Sequence, residues 1–335
     1  MILYIGNNLS LPNSNVTTLQ LLTKLLKQDG YKVVCTSSKT NQVLRLIDML
    51  FSVVKYRNTI NYILIDTYST RNFYYAFLSS QLARLLNLKY IPILHGGSLP
   101  NRLTSSPKMS QMLFGNSFSN IAPSNYLKSE FKKHGYDSDY IPNILELATY
   151  NFKRRTNFHP KLLYVRALHK LYNPKMAIYV LAELKKEYPN AELCIVGPDK
   201  DGSLNECKEL AMHLKVSDSV IFKGLLLKKQ WHKLSENYDI FINTTTVDNT
   251  PISVMEAMAL GLPVVSTNVG GISYLIKDGE SGVLVKPNDV SEMVLAIKNV
   301  ISNSLHYSGV AFSARKEVER FDWKVVKELW NRLLK

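Results

Sequence analysis

Cysteine is scarce in this 335-residue chain, which has only Cys35, Cys194 and Cys207. Cys35 and Cys194 lie inside apolar runs and no pair has CxxC spacing. Structural disulfides and a zinc site are therefore disfavoured, and a reducing, cytoplasmic setting fits best. No run of 18 apolar residues occurs, which excludes a membrane-spanning helix. The opening MILYIGNN lacks a basic n-region and a cleavable apolar core, and reads as a strand rather than a signal peptide. There is no internal repeat and no low-complexity tract. No basic helix, RNA-binding aromatic motif or zinc knuckle supports a nucleic-acid partner. Acidic side chains are also in short supply, 27 against 41 Lys and Arg, for a net charge of +14. Residues 1–150 hold 15 basic and 7 acidic groups, so the excess is concentrated in the first half. Such a surplus favours anionic partners: nucleotides, phospholipids or nucleic acid.

What is present is an alternation of strand and helix patterns, long enough for two domains of roughly 150 residues each. Ile2–Ile5 is a short apolar strand. Val16, Leu19, Leu22, Leu25 and Leu26 recur at helical spacing, Gly30 stops that helix, and Tyr31–Cys35 is the next strand. Val43, Leu46, Ile47, Leu50, Phe51 and Val54 mark an amphipathic helix, followed by strands Tyr62–Ile65 and Tyr90–Leu94. The pattern pauses at Asn151–Pro160, a polar, basic stretch that reads as a linker. It restarts with strands Lys161–Val165, Glu192–Val196, Val220–Phe222, Asp239–Asn243, Pro263–Ser266 and Gly282–Val285. Helices fall between them, from about Asn173 and from Pro251, and Asp289 with Glu292 resembles a capping box for Val290–Ile301. The fold class is α/β, with parallel, doubly wound sheets in two successive domains facing across a cleft. In such sheets ligands bind beyond the carboxyl ends of the strands.

The most informative segment runs from Asp248 to Pro263, DNTPISVMEAMALGLP. Thr250 suits an N-cap and Pro251 a first helical position, and Gly261 ends the helix. The helix start, with Asn249, Thr250, Pro251, Ile252 and Ser253, offers N–H groups and a positive dipole end to a diphosphate. Asp248 lies just before the helix and Glu256 about a turn and a half inside it. One carboxylate therefore reaches sugar hydroxyls while the deeper one meets a ribose diol, each oxygen accepting from a separate O–H.

Two acids eight positions apart, then Ala-Met-Ala-x-Gly-x-Pro-Val-Val and Asn-Val-Gly270-Gly271, resemble the donor site of the retaining GT-B glycosyltransferases of family 4. The first acid is usually Glu in that family; here it is the shorter Asp248. The resemblance extends to Leu-Tyr-Val-Arg166, where the family places an arginine on the donor diphosphate, a role suited to bidentate contact. It also covers Lys170, one position early for the family's partner lysine. Gly197-Pro198 and Gly224-Leu225 match strand ends framing the nucleotide base. Phe321-Asp322-Trp323 resembles the start of the family's final helix, 319–335, which crosses back to the first domain. In the first domain (1–150), Gly6-Asn7-Asn8 follows the first strand, a place suited to a loop near donor phosphates or acceptor. His95-Gly96-Gly97 resembles the family histidine that contacts the donor sugar. Ile141-Pro142-Asn143 matches the run into the linker 151–160, and the donor domain is 161–318.

The resemblance thus implies transfer of a sugar from a UDP- or GDP-sugar to a hydroxyl acceptor with retention, in polysaccharide or glycolipid assembly. The leaving phosphate itself helps to deprotonate the acceptor. Arg166 and His95 join Asp248 and Glu256 as the catalytic set. No cofactor or metal is expected: Asp137-Ser-Asp139 and Asp199-Lys-Asp201 fit a DxD metal pattern but read as solvated turns. The diphosphate is then neutralised by Arg166, Lys170 and the helix N-terminus. The alternatives are a nucleotide-sugar epimerase of related architecture and a non-catalytic protein that binds nucleic acid or another anionic ligand. Lys128, Lys132 and Lys133, with Phe131 and Tyr126 as apolar anchors, suggest a helix that docks at the inner face of the membrane, where the acceptor is lipid-linked.

Overall fold

The computed structural model describes residues 1–9 and 15–335. The chain divides into two compact units, one of Met1–Ile144 with Trp323–Lys335 and one of Leu145–Asp322. Each contains a six-stranded sheet in which every pairing is parallel.

The strands of the first unit are β1 (Ile2–Ile5), β2 (Val33–Thr36), β3 (Tyr62–Thr67), β4 (Tyr90–Leu94), β5 (Ile121–Ala122) and β6 (Asp139–Tyr140). Their order, β2-β1-β3-β4-β5-β6, reverses direction between β1 and β3, the switch point at which doubly wound sheets open a crevice. The crossovers hold α1 (Thr18–Gln28), α2 (Gln42–Tyr56), α3 (Asn72–Leu85), α4 (Pro100–Ser105), α5 (Pro107–Phe114) and α6 (Asn125–Lys133). Alternate strand residues serve opposite faces. Ile2 and Tyr4 pack with Leu19, Leu22 and Leu26 of α1 and with Val326 and Trp330 of the terminal helix. Leu3 and Ile5 pack with Met49, Val53, Phe73 and Phe131. Helix α1 opens on a reciprocal capping box between Thr17 and Gln20, which leaves Val16 ahead of the cap and exposed.

Two expectations for this unit are corrected. Helix α2 is present, but Val43, Ile47, Phe51 and Val54 are exposed, and its buried residues are Arg45, Met49, Ser52 and Val53. The apolar stripe marked by periodicity is mostly the exposed side, so periodicity alone does not pick the inward face. Arg45 helps to pick it, donating from the buried side to the carbonyls of Lys39 (2.7 Å) and Thr40 (2.8 Å). In α6, Lys128 and Lys132 are exposed, but Phe131 is fully buried against Phe114 at 4.9 Å and is not a surface anchor.

The second unit has β7 (Lys161–Val165), β8 (Glu192–Val196), β9 (Val220–Gly224), β10 (Ile240–Asn243), β11 (Val264–Thr267) and β12 (Val283–Val285). The order is β12-β11-β10-β7-β8-β9. Counted within the unit, this is the 3-2-1-4-5-6 arrangement of dinucleotide-binding sheets, with its switch point between β7 and β10. Helices α7 (Pro174–Leu184), α8 (Ser203–His213), α9 (Lys228–Leu234), α10 (Ile252–Ala259), α11 (Ile272–Leu275), α12 (Val290–Ser302) and α13 (Ser304–Val318) complete it. Helices α7, α8 and α12 cover one face; α9, α10 and α13 cover the other.

Residues 151–160, read as a linker, are part of this second unit. Arg155 is buried and its guanidinium donates to the carbonyls of Ser235 (2.8 Å), Tyr238 (2.9 Å) and Gly261 (2.9 Å). A polar stretch without periodicity enters a core when its donors are met in this way. The units divide after Ile144, and Glu319–Asp322 stay with the second unit while the helix from Trp323 joins the first.

Candidate functional site

At the switch point of the second unit, the chain leaves β7 at Arg166 and leaves β10 into residues 244–250. The two strand ends are laced together: Thr246 N donates to Leu171 O (2.8 Å) and Thr244 Oγ1 to Asn173 O (2.8 Å). This lacing brings Arg166 to Asp248, with Nη2 to Oδ2 at 2.6 Å. The guanidinium also lies over the Tyr172 ring, 4.2 Å from its centroid. Burial alone would lower the Arg166 pKa, but Asp248, Tyr172 and Tyr164 together raise it, so the cation is retained. Burial raises the Asp248 carboxyl above its usual range, and the charge of Arg166 pulls the other way. Arg166 Nε is buried with no hydrogen-bond partner among the described residues, leaving a donor of the fork unused.

Glycines set the height of this floor. Gly270 has φ +52° and a Cβ there would stand 2.1 Å from Asp248 O. A Cβ on Gly271 would stand 2.0 Å from Asn249 O, and Gly271 N donates to Asp248 O at 3.1 Å. The Gly-Gly loop is therefore the support on which the Asp248–Asn249 backbone rests. Gly197 has φ +151°, and a Cβ there would stand 1.9 Å from Arg166 O, so only glycine lets the neighbouring strand end pass this close. Its N–H donates to Gly224 O at 2.8 Å, so the glycine that follows β8 meets the one that ends β9. Leu168 N donates to Pro198 O at 2.9 Å, and Leu225 is exposed.

Helix α10 begins one residue later than expected, with Pro251 as N-cap and Ile252 as first residue. Thr250 is buried just ahead of the cap, and Asn249 N donates to Asp248 Oδ1 at 2.9 Å. The amides of Ile252 and Ser253 belong to the first turn, which has no intrahelical acceptors. Glu256, 3% exposed, accepts at Oε1 from Tyr150 OH (2.9 Å) and pairs there with Lys228 Nζ (2.7 Å). Burial, with the Glu256 carboxylate beside it, raises the Tyr150 hydroxyl far above its ordinary range. His232, one turn after Lys228, lies tilted against Tyr150 with ring centroids 4.8 Å apart. Burial, then the Lys228 charge, pushes it down to about 4. Tyr150, Tyr172 and Lys228 escaped sequence reasoning. Lys228 had a signal, a cation opening the helix that follows the Gly224 strand end.

Lys170 does not join Arg166. It lies in the turn Lys170–Tyr172, mostly exposed, with Glu206 at 3.8 Å. Asp199 and Asp201 shape the turn before α8, accepting from Gly202 N (3.1 Å) and Ser203 N (3.2 Å) respectively. Asp139 is in strand β6 rather than a turn and accepts from Ser119 Oγ at 2.7 Å. Among the described residues, no group of three or more His, Cys, Asp or Glu side chains is placed to hold a metal ion.

In the first unit the corresponding switch point carries Gly6, at the end of β1, beside Asp66 in β3. Gly6 N donates to Thr36 O at 2.7 Å, and the Asn7 side-chain oxygen is occupied by Arg45 Nη1 at 2.9 Å. His95 follows β4, with Nε2 2.8 Å from Asp66 Oδ1, and Tyr4 OH donates to the same oxygen at 2.9 Å. Tyr68 stacks on the His95 ring at 4.7 Å. His95 is therefore a braced side chain with Nδ1 directed away from its carboxylate partner. Asp66 was not foreseen; its signal was a carboxylate at the carboxyl end of a fully apolar strand.

The family described as Glycosyl transferases group 1 matches residues 151–317, which contain Arg166, Asp248 and Glu256. The chain is 29% identical over 154 residues to the sulfoquinovosyl transferase of Arabidopsis thaliana, 44% of this chain and 28% of that one. It is 30% identical over 152 residues to an uncharacterized glycosyltransferase of Haemophilus influenzae, 45% of this chain and 42% of that one. The matched stretch is thus under half the length of either relative. HepE of Anabaena, solved with UDP and glucose, superimposes with a TM-score of 0.78 at 18% identity, over 99% of this chain and 98% of that one. Residues 151–317 thus resemble a glycosyl transferases group 1 domain, and the chain has the fold of GT-B glycosyltransferases.

Proposed function

We propose that this protein transfers a sugar from a nucleotide-diphosphate donor to a hydroxyl acceptor, with retention at the anomeric carbon and without a metal ion. The observation that carries the reading is the Arg166 guanidinium at the β7/β10 switch point, charged, stacked on Tyr172 and with Nε unused, in the same loop system as the first turn of α10. A fork donor beside free helix amides suits a diphosphate. The complex of HepE with UDP and glucose makes a UDP-sugar the first donor to test; a GDP-sugar is the second.

In this reading Arg166 and the amides of Ile252 and Ser253 hold the diphosphate. Asp248, whose carboxylate has further lone pairs beyond those used by Arg166 and Asn249, accepts from sugar hydroxyls. Glu256 takes the ribose diol with Oε2. His95, braced by Asp66, offers Nδ1 to a hydroxyl. The bond from the anomeric carbon to the phosphate oxygen breaks as the bond to the acceptor oxygen forms on the same face. The acceptor proton passes to the departing phosphate, giving a glycoside and a nucleoside diphosphate. The setting is polysaccharide or glycolipid assembly on a lipid-linked acceptor at the inner face of the membrane.

The test is incubation with a panel of nucleotide sugars and hydroxyl acceptors, reading nucleoside diphosphate release and the anomeric configuration of the product by NMR. An inverted product would overturn retention. Interconversion of the nucleotide sugar with no transfer would replace the reading by an epimerase.

A further inference from the structure

Helix α2 has apolar residues on the side turned away from its own sheet: Val43, Leu44, Ile47, Phe51 and Val54 are all exposed, Ile47 by 56% and Phe51 by 60%. They fall at successive helical turns and form one stripe along the outer face. Helix α3 packs beside α2 and is tied to it by Tyr75 OH donating to Gln42 O at 3.2 Å. It adds Tyr74 and Leu78, both exposed, and Leu85 at its end. A helix that is apolar on its inner and outer faces has the character of a buried helix, and a contiguous exposed apolar patch marks an interaction surface.

The exposed charges of the two helices have one sign. On these two helices and their caps, the exposed charged side chains are Lys55 and Arg57 at the end of α2, and Arg71 and Arg84 at either end of α3. Arg45 points inward to Asn7, and Asp48 is half-buried and accepts from Thr36 Oγ1 at 3.0 Å. An apolar stripe rimmed by cations matches the boundary of an anionic bilayer, where side chains like Phe51 enter the acyl region and Lys and Arg meet headgroup phosphates. It does not match a second copy of itself, since that would bring two cationic rims together.

We infer that the α2–α3 face docks the protein on anionic lipid, with Ile47 and Phe51 as the inserted residues and Lys55, Arg57, Arg71 and Arg84 as the headgroup contacts. The surface differs from the α6 lysines in having accessible apolar anchors, since Leu127 and Phe131 of α6 are buried. The inference does not depend on the sugar-transfer reading.

The test is co-sedimentation of the full chain with vesicles of phosphatidylcholine alone and with phosphatidylglycerol added. Phe51→Trp provides a direct probe through its emission shift and its quenching by brominated acyl chains. Binding is expected only to the anionic vesicles, with a blue shift and quenching of the Phe51→Trp signal. Lys55→Glu with Arg57→Glu should lower the partition coefficient by fivefold or more and salt should weaken it. Ile47→Glu with Phe51→Glu should reduce it tenfold or more while leaving the circular dichroism spectrum unchanged, because both side chains are exposed. Lys128→Glu with Lys132→Glu should have little effect. Equal binding to neutral and anionic vesicles, binding to neither, or loss of binding through the α6 variant alone would overturn the inference. So would a concentration-dependent dimer of the wild-type chain that Phe51→Glu dissociates.

Discussion

Arg166 Nη2 and Asp248 Oδ2 stand 2.6 Å apart across 82 positions of sequence, so the residue expected on the diphosphate and the residue expected on the sugar hold each other. The shorter Asp in place of the family's usual Glu is the member that makes this ion pair. It keeps a cation and an anion together, both partly shielded from water, at the one place where β7 and β10 diverge.

Removing one partner of a buried pair costs about 3–5 kcal/mol. The Arg166 side chain keeps 20% of its exposure, so Arg166→Met should lie near the lower end, about 3 kcal/mol. Adding Asp248→Asn should restore part of it. The Asp248 carboxyl is already raised by burial and rises further without Arg166. A raised folded value means stability is whole below the unfolded 3.8 and is lost as pH climbs through the folded value. Urea titrations should therefore show a larger Arg166→Met deficit at neutral pH than in acid. An equal deficit at both, or no recovery in the double variant, would contradict the pairing.

Glu256→Gln should weaken nucleoside diphosphate binding by about 1.5–3 kcal/mol, the range for a hydrogen bond to a charged group. Tyr150→Phe, which removes one donor to Oε1 but leaves the carboxylate, should have a smaller effect. Calorimetric titration with UDP measures both. Unchanged affinity in the Glu256 variant would remove this residue from the donor site.

His232 is held to about 4 against an unfolded 6.5, first by burial and then by Lys228. A depressed value means the neutral ring contributes stability that is whole above pH 6.5 and is lost as pH falls through about 4. Thermal melts of the wild type should drop across that window, and His232→Gln should flatten the drop. An unchanged acid limb in the variant would assign the loss to other groups.

Gly270→Ala puts a Cβ 2.1 Å from Asp248 O at φ +52°. The left-handed backbone alone costs about 1–2 kcal/mol for an L side chain, so the total loss of stability should reach about 2 kcal/mol or more. UDP affinity should fall with it, because the displaced backbone carries Asp248. Stability lost with affinity intact would separate the Gly-Gly loop from the donor site.

Sugar transfer should survive EDTA, since the proposed donor cradle neutralises the diphosphate with Arg166 and the first turn of α10. Activity lost to the chelator and restored by magnesium or manganese would sink the metal-free reading.

The alternation of short apolar strands with helical patterns was legible along the chain because each is a local period, two for a strand and 3.6 for a helix. The same holds for the glycines at strand ends and for the spacing of Asp248 and Glu256, which one helix sets by itself. Local periodicity did not disclose the outward apolar face of α2. The apolar residues of α2 extend from Met49 and Val53 round to Ile47 and Phe51, and only packing against β1 and β2 chose the first pair for burial. Nor did it disclose that Arg155 is a core residue, since its acceptors are carbonyls from distant turns. The pairings of Arg166 with Asp248, of Glu256 with Tyr150 and Lys228, and of His95 with Asp66 depend on which strand ends are neighbours. Strand order is a property of the assembled sheet, so those contacts were decided by tertiary structure alone.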